Sequence, residues 1–341
     1  MPHDWRPCRP LKLHLQVDCL LSDKLLPDQS KIQTINQAGR FDQRLMLSTA
    51  LPAKAWLRFQ RNFLSYYFTH PPLWKILLRA ALPAKRMVPA FASIGAVRSG
   101  TSLLADYIMQ HPCVALPLAK EIGNSIPMKK LILAQFPTIR RAKSLTRRHG
   151  KAVTGYCNPT MPFLGFPYLA RELAPNVKFI VILRDPVERT FAHWRWDQMR
   201  PSRITRDPLW ARYPDFDESM RIELEAIRHK GGGLMTFSGM PGGGGYIQHS
   251  IYLPFIINLL KCFDRSNVLF VNSAEFFAHP VAIAQQVYSF LELPDYDPVE
   301  MPLKNAGAKS QMPESTRLLL QDFFAPLNRE LYDVIGKDMN W

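Results

Sequence analysis

The sequence lacks both a cysteine pattern and a long apolar segment. Its cysteines are five in number, widely spaced and without a CxxC pair: Cys8, Cys19, Cys113, Cys157 and Cys262. A disulfide framework or a zinc cluster is therefore not expected, and a reducing, cytoplasmic location fits better. No apolar run approaches the ~20 residues that cross a bilayer. The N-terminus has neither the apolar core nor the small-residue cleavage site of a signal peptide.

Acidic residues are also scarce. The chain has 28 Asp and Glu against 43 Lys and Arg, a formal charge of +15 over 341 residues. This excess favours an anionic partner such as a nucleotide, an acidic glycan or an acidic lipid, although a basic surface can also serve solubility alone. Nucleic acid is not expected, because no zinc finger, RRM-like aromatic signature or basic zipper occurs. The oligomeric state is left open.

The N-terminal region differs from the rest in pattern. Its first fifty residues show little periodicity, whereas residues 54–81 are aromatic, basic and helical in pattern, with a break at Pro71-Pro72. This segment either packs against the main domain or lies peripherally on a membrane or partner. We therefore divide the chain into an N-terminal extension, 1–87, partly helical and partly disordered, and a main domain, 88–341.

From Val88 onward, short apolar runs alternate with helical patterns. Strands are predicted at Val88–Ile94, Val114–Leu116, Ala152–Tyr156, Val177–Leu183 and Val268–Val271. Helices are predicted at Ser102–Gln110, Ile126–Phe136, Leu164–Leu173, Val187–Met199, Ser250–Phe263, Val281–Leu291 and Pro313–Ile335. The alternation predicts an α/β fold, a central parallel sheet with helices on both faces. The Arg-, Pro- and Gly-rich stretch 200–245 is interpreted as a mobile excursion over one edge of the sheet.

A glycine-flanked loop follows the first predicted strand. It reads Gly95-Ala96-Val97-Arg98-Ser99-Gly100-Thr101-Ser102 and runs into a helix, which is the arrangement that holds phosphate groups. The spacing matches the nucleoside-triphosphate loop, but Thr101 stands where that loop has lysine, and a cation, Arg98, precedes it by three positions. Such a loop suits an anion other than the Mg²⁺-bound triphosphate, and an ordinary strand-to-helix turn is the alternative.

A second cationic motif follows the strand at Val177–Leu183. There Arg184-Asp185-Pro186 begins a helix, and Arg184 stands at the carboxyl end of a parallel strand, where such sheets bind ligands. A second anion site here fits a nucleotide phosphorylated at both ends. The alternative is a surface salt bridge between Arg184 or Arg189 and Asp185 or Glu188.

Together, GAVRSGTSLL, the His111-Pro112 and Lys120-Glu121 pairs, and LRDPVERTFAHW resemble the domain of sulfotransferases that use 3′-phosphoadenosine 5′-phosphosulfate (PAPS). The resemblance covers about residues 88–341 and is nearest to the heparan sulfate sulfotransferase-like branch and its bacterial relatives. It implies a P-loop-like nucleotide-binding fold and PAPS as the sulfuryl donor, with no metal required. By this resemblance, Arg98 acts at the leaving phosphate, Ser99, Gly100, Thr101 and Ser102 hold the phosphosulfate, and Arg184 binds the 3′-phosphate.

The sequence departs from the family pattern at three positions. Ala192 replaces a serine that many members have near the 3′-phosphate, Cys157 replaces a lysine, and His249 replaces an arginine. The family often has a basic loop over the nucleotide, for which Lys304 and Lys309 are both candidates. A degenerate, non-catalytic anion-binding protein is therefore one alternative. A P-loop kinase or hydrolase is another, although the missing lysine at Thr101 argues against it.

The acceptor must lose a proton, so a base is needed near the phosphate loop. Glu121 stands where the family has its catalytic glutamate, whereas His193 and His249 are rival bases and an exposed Lys-Glu dipeptide is the structural alternative. Two basic stretches, Lys129–Lys151 and Arg195–Arg206, could line a groove for an acidic saccharide or could be solvated helix faces. The acceptor is thus a hydroxyl or amine, expected on a saccharide.

Overall fold

The described residues are built around a four-stranded parallel sheet. The computed structural model describes residues 73–119, 129–158, 166–198, 215–229, 245–301 and 311–341. The strands are β1 (Phe91–Gly95), β2 (Gly155–Asn158), β3 (Lys178–Leu183) and β4 (Val268–Asn272), in the spatial order β2-β1-β3-β4. All three pairings are parallel. The predicted α/β fold with a central parallel sheet is confirmed.

Helices connect the strands and cover the sheet. Before β2 they are α1 (Leu73–Ala81), α2 (Thr101–Gln110), α3 (Lys129–Ala134) and α4 (Ile139–His149). Between β2 and β4 they are α5 (Phe166–Leu173), α6 (Pro186–Gln198), α7 (Phe216–His229) and α8 (Leu253–Cys262). After β4 they are α9 (Ser273–Ala278), α10 (Pro280–Phe290) and α11 (Glu314–Ile335).

Both faces of the sheet are buried because alternate strand residues point to opposite sides. On one face Ile94, Phe179 and Val181 pack with residues of α8 and the end of α11. On the other face Ile180 and Ile182 pack with residues of α2, α9 and α10. This two-sided burial explains why β3 is apolar at nearly every position.

A third, smaller core lies beside the sheet between α6, α7 and α11. Phe191 of α6 meets Phe216 of α7 edge-to-face, with ring centroids 4.9 Å apart. Tyr246, Ile247 and Phe324 of α11 are buried in the same cluster. Phe216–His229 is therefore a packed helix, and the interpretation of 200–245 as a mobile excursion is wrong for this part.

One further local prediction differs from the structure. Val114–Leu116 does not form a strand but contributes only an isolated parallel bridge between Val114 and Val153, while Leu116 is exposed. The helix α4 was not predicted, because it buries only one hydrophobic side chain, Leu145, and so lacks apolar periodicity.

The described part of the N-terminal extension packs on the domain through α1. Arg79 donates hydrogen bonds to the carbonyls of Ala134 (2.6 Å) and Phe136 (2.7 Å), at the end of α3. The side chain of Arg86 in turn donates to the Arg79 carbonyl at 3.0 Å. The division at residue 87 stays a prediction, and residues 1–72 lie outside the described residues. None of the helices described combines the length and apolar character needed to span a membrane.

Candidate anion-binding site

The phosphate loop joins β1 to α2 and is held tightly against β3. The backbone N–H of Ala96 donates to the Ile182 carbonyl at 3.1 Å. Gly95 lies so close to β3 that a Cβ there would be 2.5 Å from the Ile182 Cγ2 and 2.7 Å from its carbonyl oxygen. Only glycine fits this close approach of two backbones.

The turn of the loop uses two residues with left-handed backbone. Arg98 has φ 71° and Gly100 has φ 95°. Glycine adopts this conformation freely, whereas an arginine there carries backbone strain of about 1–2 kcal/mol. Thr101 then begins α2, so the loop leads directly into a helix N-terminus, as an anion site requires.

The serine at the centre of the loop is fully buried. The Ser99 carbonyl accepts a hydrogen bond from the Ser273 hydroxyl at 2.8 Å, which ties the loop to α9. The Ser99 hydroxyl itself has no hydrogen-bond partner among the described residues. A buried hydroxyl without a partner costs free energy, and a bound anion would supply the missing acceptor.

Arg184 lies next to the loop, as the sequence predicted. Its Nη1 donates to the Arg98 carbonyl at 3.0 Å, and its own carbonyl accepts from the Tyr252 hydroxyl at 2.8 Å. The alternative salt bridge between Arg184 and Glu188 is long, with 3.9 Å between Arg184 Nη2 and Glu188 Oε2. Burial lowers the pKa of Arg184, and Glu188 partly offsets that effect.

The two motifs therefore meet where the chain changes direction across the sheet. In the order β2-β1-β3-β4, the chain passes from β1 to β2 on one side and from β3 to β4 on the other side. Such a switch point opens a crevice at the carboxyl ends of the strands. Arg98 and Arg184 both follow strands that end there.

The guanidinium of Arg98 also lies over an aromatic ring. Its Cζ is 5.0 Å from the ring centroid of Trp196, on α6. A cation–π contact of this kind orients the charge without neutralising it. The same helix also carries Arg189 and His193.

Arg189 does not form the surface salt bridge that stood as an alternative, and its supporting role was not predicted. It is fully buried and pairs with neither Asp185 nor Glu188. Its Nε donates to Ser250 Oγ at 2.6 Å, Nη1 donates to the Val97 carbonyl at 3.3 Å, and Nη2 donates to the Tyr246 carbonyl. Arg189 therefore fastens the phosphate loop to the segment that carries His249. Its position one helical turn after Asp185 and before His193 was the only available signal.

A buried carboxyl lies on the far side of Arg189. Burial raises the pKa of Glu223 to about 7, although the backbone N–H groups of residues 246–248 and the charge of Arg189 act against the shift. Glu223 Oε1 accepts the N–H of Gln248 at 2.9 Å. Glu223, on α7, thus supports the segment that carries His249.

The two rival bases lie together. The rings of His193 and His249 meet edge-to-face with centroids 5.6 Å apart. Burial lowers the pKa of His193 to about 2 and that of His249 to about 4, and the charge of Arg189 adds to both shifts. His193 Nδ1 has no hydrogen-bond partner among the described residues. Both imidazoles are therefore neutral at pH 7, and His193 retains an unused nitrogen.

The other departures from the family pattern occupy different places. Cys157 lies on β2, where its thiol is buried. Ala192 lies on α6 between Phe191, which is buried, and His193, which is half-buried. Glu121, Lys304 and Lys309 lie outside the described residues, so their placement stays a prediction.

A cleft continues from Glu188 along α6. It has a volume of about 480 Å³ and is lined by residues of α6 and the start of α11, among them Arg195, Met312 and Arg317. Arg317 donates to Glu188 Oε1 at 2.7 Å. The volume lies within the usual range for small-molecule sites. Among the described residues, no three His, Cys, Asp or Glu side chains form a group that could hold a metal ion.

Comparisons with known proteins agree with the predicted resemblance. No family model matches the chain. It is 22% identical, over 322 aligned residues, to the membrane-associated sulfotransferase kil1 of Dictyostelium discoideum, covering 74% of this chain and 66% of kil1. It is also 22% identical, over 288 residues, to the bifunctional heparan sulfate N-deacetylase/N-sulfotransferase 1 of Caenorhabditis elegans. That match covers 74% of this chain and 30% of the worm protein.

The chain thus spans about two thirds of the length of kil1 and less than a third of the worm protein. Among solved structures, a sulfotransferase from Alicyclobacillus acidocaldarius matches with a TM-score of 0.53 and 23% identity. The match covers 74% of this chain and 97% of the bacterial one, and it shows the fold. The resemblance to sulfotransferases that the two motifs predicted is confirmed.

Proposed function

We propose that this protein transfers a sulfuryl group from PAPS to a hydroxyl or amine of a saccharide. The proposal rests mainly on one observation, the 3.0 Å contact between Arg184 and the carbonyl of Arg98 in a loop that has threonine in place of lysine. This contact places the Arg184 guanidinium beside the phosphate loop, which suits a nucleotide with anionic groups at both its 5′ and 3′ ends.

The residues of the loop fit the phosphosulfate end of PAPS. Gly95 and Gly100 keep the backbone free of side chains, and the unpartnered hydroxyl of Ser99 needs an acceptor. Ser99, Gly100, Thr101 and Ser102 would hold this end, and Arg184 would hold the 3′-phosphate. When bound, PAPS supplies an activated sulfuryl group attached to a phosphate leaving group.

Arg98 is proposed as the catalytic cation. With PAPS bound, a guanidinium already oriented by Trp196 would stabilise the charge of the phosphate leaving group without reorganising. Since this role is filled by arginine and by backbone N–H groups, we propose a reaction that needs no metal.

Glu121 is proposed as the base that accepts the acceptor proton. His193 is its rival, because its Nδ1 has no hydrogen-bond partner among the described residues. Its pKa of about 2 makes it the weaker base at pH 7, however. A saccharide acceptor is supported by the similarity to the heparan sulfate N-deacetylase/N-sulfotransferase of Caenorhabditis elegans. An acidic saccharide would also suit the positive charge of the chain. Peripheral membrane contact through residues 54–81, a cytoplasmic location and the absence of nucleic-acid binding stay predictions.

The nucleotide site can be tested with adenosine 3′,5′-bisphosphate, the desulfated product. Thermal unfolding in EDTA should show stabilisation of about 2.7 kcal/mol at a hundredfold excess over the dissociation constant. Arg184→Ala should weaken the bisphosphate by roughly tenfold to a hundredfold but AMP far less, because AMP lacks the 3′-phosphate. Lys261→Ala, an exposed cation on α8, is the control for loss of one charge.

Two results would count against this proposal. Stronger stabilisation by Mg²⁺-ATP than by the bisphosphate would favour a kinase or hydrolase. An equal loss for both ligands in Arg184→Ala would mean that Arg184 only supports the Arg98 carbonyl.

The base can be identified by single-turnover sulfuryl transfer. Glu121→Gln should lower the rate by about 10²–10⁴-fold and leave bisphosphate affinity nearly unchanged, because a base contacts the acceptor and not the nucleotide. His193→Gln, which keeps a polar side chain of similar size, should have the smaller effect. The reverse order would assign the base to His193, and no transfer with any acceptor would favour a non-catalytic anion-binding protein.

A further inference from the structure

The helix α1 exposes most of its apolar side chains. Only Ile76 is buried in this helix, whereas Trp74 is 65% exposed, Leu77 48% and Leu78 54%. Leu82, just after the helix, is 52% exposed. The hydrogen bonds of Arg79 to α3 fix the helix in this orientation. A contiguous exposed apolar surface on a fixed helix marks an interaction site.

The helix α4 presents positive charge. Arg140, Arg141, Lys143, Arg147 and Arg148 are all exposed, and Leu145 is the one fully buried residue of the helix. Neither 73–88 nor 129–151 contains an aspartate or glutamate, so these charges have no acidic partner within their own segments.

The two helices belong to one surface. An antiparallel bridge joins Arg86 to Thr138, and the N–H of Ile139 donates to the Lys85 carbonyl at 2.9 Å. The N–H of Met87 donates to the Pro137 carbonyl at 2.8 Å. The exit of α1 and the start of α4 are therefore hydrogen-bonded neighbours. We call the exposed residues of α1, residues 82–88 and α4 the basic face.

The basic face lies away from the anion-binding site. Lys151, just after α4, bonds to the carbonyls of Leu291 and Glu292. Lys178, the first residue of β3, pairs with Glu292 as well. The end of α4 is thus near the amino ends of the strands, whereas Arg98 and Arg184 lie at the carboxyl ends.

We propose that the basic face docks the protein on the surface of an anionic lipid bilayer. Trp74, Leu77 and Leu78 would enter the headgroup region, and the cations of α4 would contact lipid phosphate and carboxylate groups. An acidic polymer would match the charges but leave the apolar side chains of α1 without a role. The preceding residues 54–72 carry Lys54, Arg58 and Arg61 and no acidic residue, so they cannot neutralise the basic face. The proposal is independent of the sulfuryl-transfer proposal.

The test is co-sedimentation of the full chain with vesicles. We expect binding to phosphatidylcholine vesicles that contain about 30% phosphatidylserine, little binding to phosphatidylcholine alone, and loss of binding as salt is raised. Reversing two charges of α4, Arg140→Glu with Arg147→Glu, should weaken binding about tenfold or more. Lys261→Glu with Arg329→Glu, exposed cations on α8 and α11, makes the same change of net charge elsewhere and should have a much smaller effect.

The apolar part is tested by Trp74→Ser with Leu78→Ser. These exposed positions should tolerate the change, and binding to the anionic vesicles should fall at every salt concentration. Unchanged binding in this variant would overturn the proposal, since the exposed apolar side chains of α1 would then be covered by another segment or copy. Equal loss in the two charge-reversed pairs would overturn it as well, because net charge alone would explain binding. Heparin binding that needs α4 but not α1, without vesicle binding, would assign the face to an acidic polymer.

The same variants separate the two proposals. Each should bind adenosine 3′,5′-bisphosphate as the unmodified chain does, because the basic face lies at the other end of the sheet. Loss of vesicle binding with intact nucleotide binding would leave the proposed function untouched.

Discussion

The anion-binding site and the basic face both use arginine, but in opposite surroundings. In the site, Arg189 is fully buried and each of its nitrogens is bound to a named acceptor. On the basic face, Arg140, Arg147 and Arg148 extend into solvent from a helix that buries one side chain. The difference shows that an excess of basic residues can serve two purposes. Buried arginine supports the geometry of the site, and exposed arginine attracts anions over a distance.

The largest expected contrast concerns stability. Arg189→Ala should lower the free energy of unfolding by about 3–5 kcal/mol, since each buried acceptor left unpaired costs about 1–3 kcal/mol. Arg147→Ala on α4 should change it by no more than about 0.5 kcal/mol. Urea denaturation measures both. If Arg189→Ala does not fold, Arg189→Lys keeps the charge with fewer donors and should show an intermediate loss. Similar small losses at both positions would break the comparison.

A second contrast concerns pH and involves only the buried region. The pKa of His249 is lowered to about 4, so the unfolded chain takes up this proton first as the pH falls below about 6.5. Stability is therefore lost between pH 6.5 and about 4, by about 2–3 kcal/mol in total. In His249→Gln this part of the loss should disappear.

Glu223 should act in the opposite sense. Its pKa is raised to about 7, so its stabilising effect is complete below about pH 4.5 and is lost as the pH rises to about 7. Glu223→Gln should therefore gain stability relative to the unmodified chain over this range. Thermal unfolding of the three proteins between pH 4 and 8 provides the measurement. Parallel pH profiles for all three would mean that neither group is shielded from solvent.

The smallest expected contrast compares two glycines. Gly95→Ala should cost about 1–3 kcal/mol, because its Cβ would overlap the backbone and side chain of Ile182. Gly150→Ala, at the end of α4, should cost about 1 kcal/mol, since nothing lies within 4 Å and only its φ of 79° disfavours a side chain. Asparagine tolerates that backbone, so Gly150→Asn should recover part of the loss and Gly95→Asn none. Denaturation midpoints decide this.

The sequence predicted those parts of the site that depend on local signals. The phosphate loop and β3 are recognisable because glycine spacing and an apolar run are contained within a few residues. The burial of Arg189 was not predictable in this way, since it depends on Tyr246 and Ser250, about sixty positions later in the chain. The placement of Glu121 stays a prediction.

The helix α4 shows what apolar periodicity overlooks. Its ends carry clear signals, with the Thr138 Oγ1 accepting the N–H of Arg141 at 3.3 Å and Gly150 in the left-handed conformation. Capping residues at both ends of a polar segment predict a helix even when its faces do not. These capping residues, together with the basic residues between them, would also have indicated a basic helix surface.

The left-handed backbone of Arg98 has a consequence for anyone who redesigns this protein. At φ 71° a glycine would relieve the strain, so a procedure that optimises folding alone would replace the arginine. The more stable protein would then have lost the guanidinium over Trp196 that the proposed chemistry depends on. Position 98 is thus a place where robustness and activity call for different residues, and a thermostable version of this fold should be sought elsewhere in the chain.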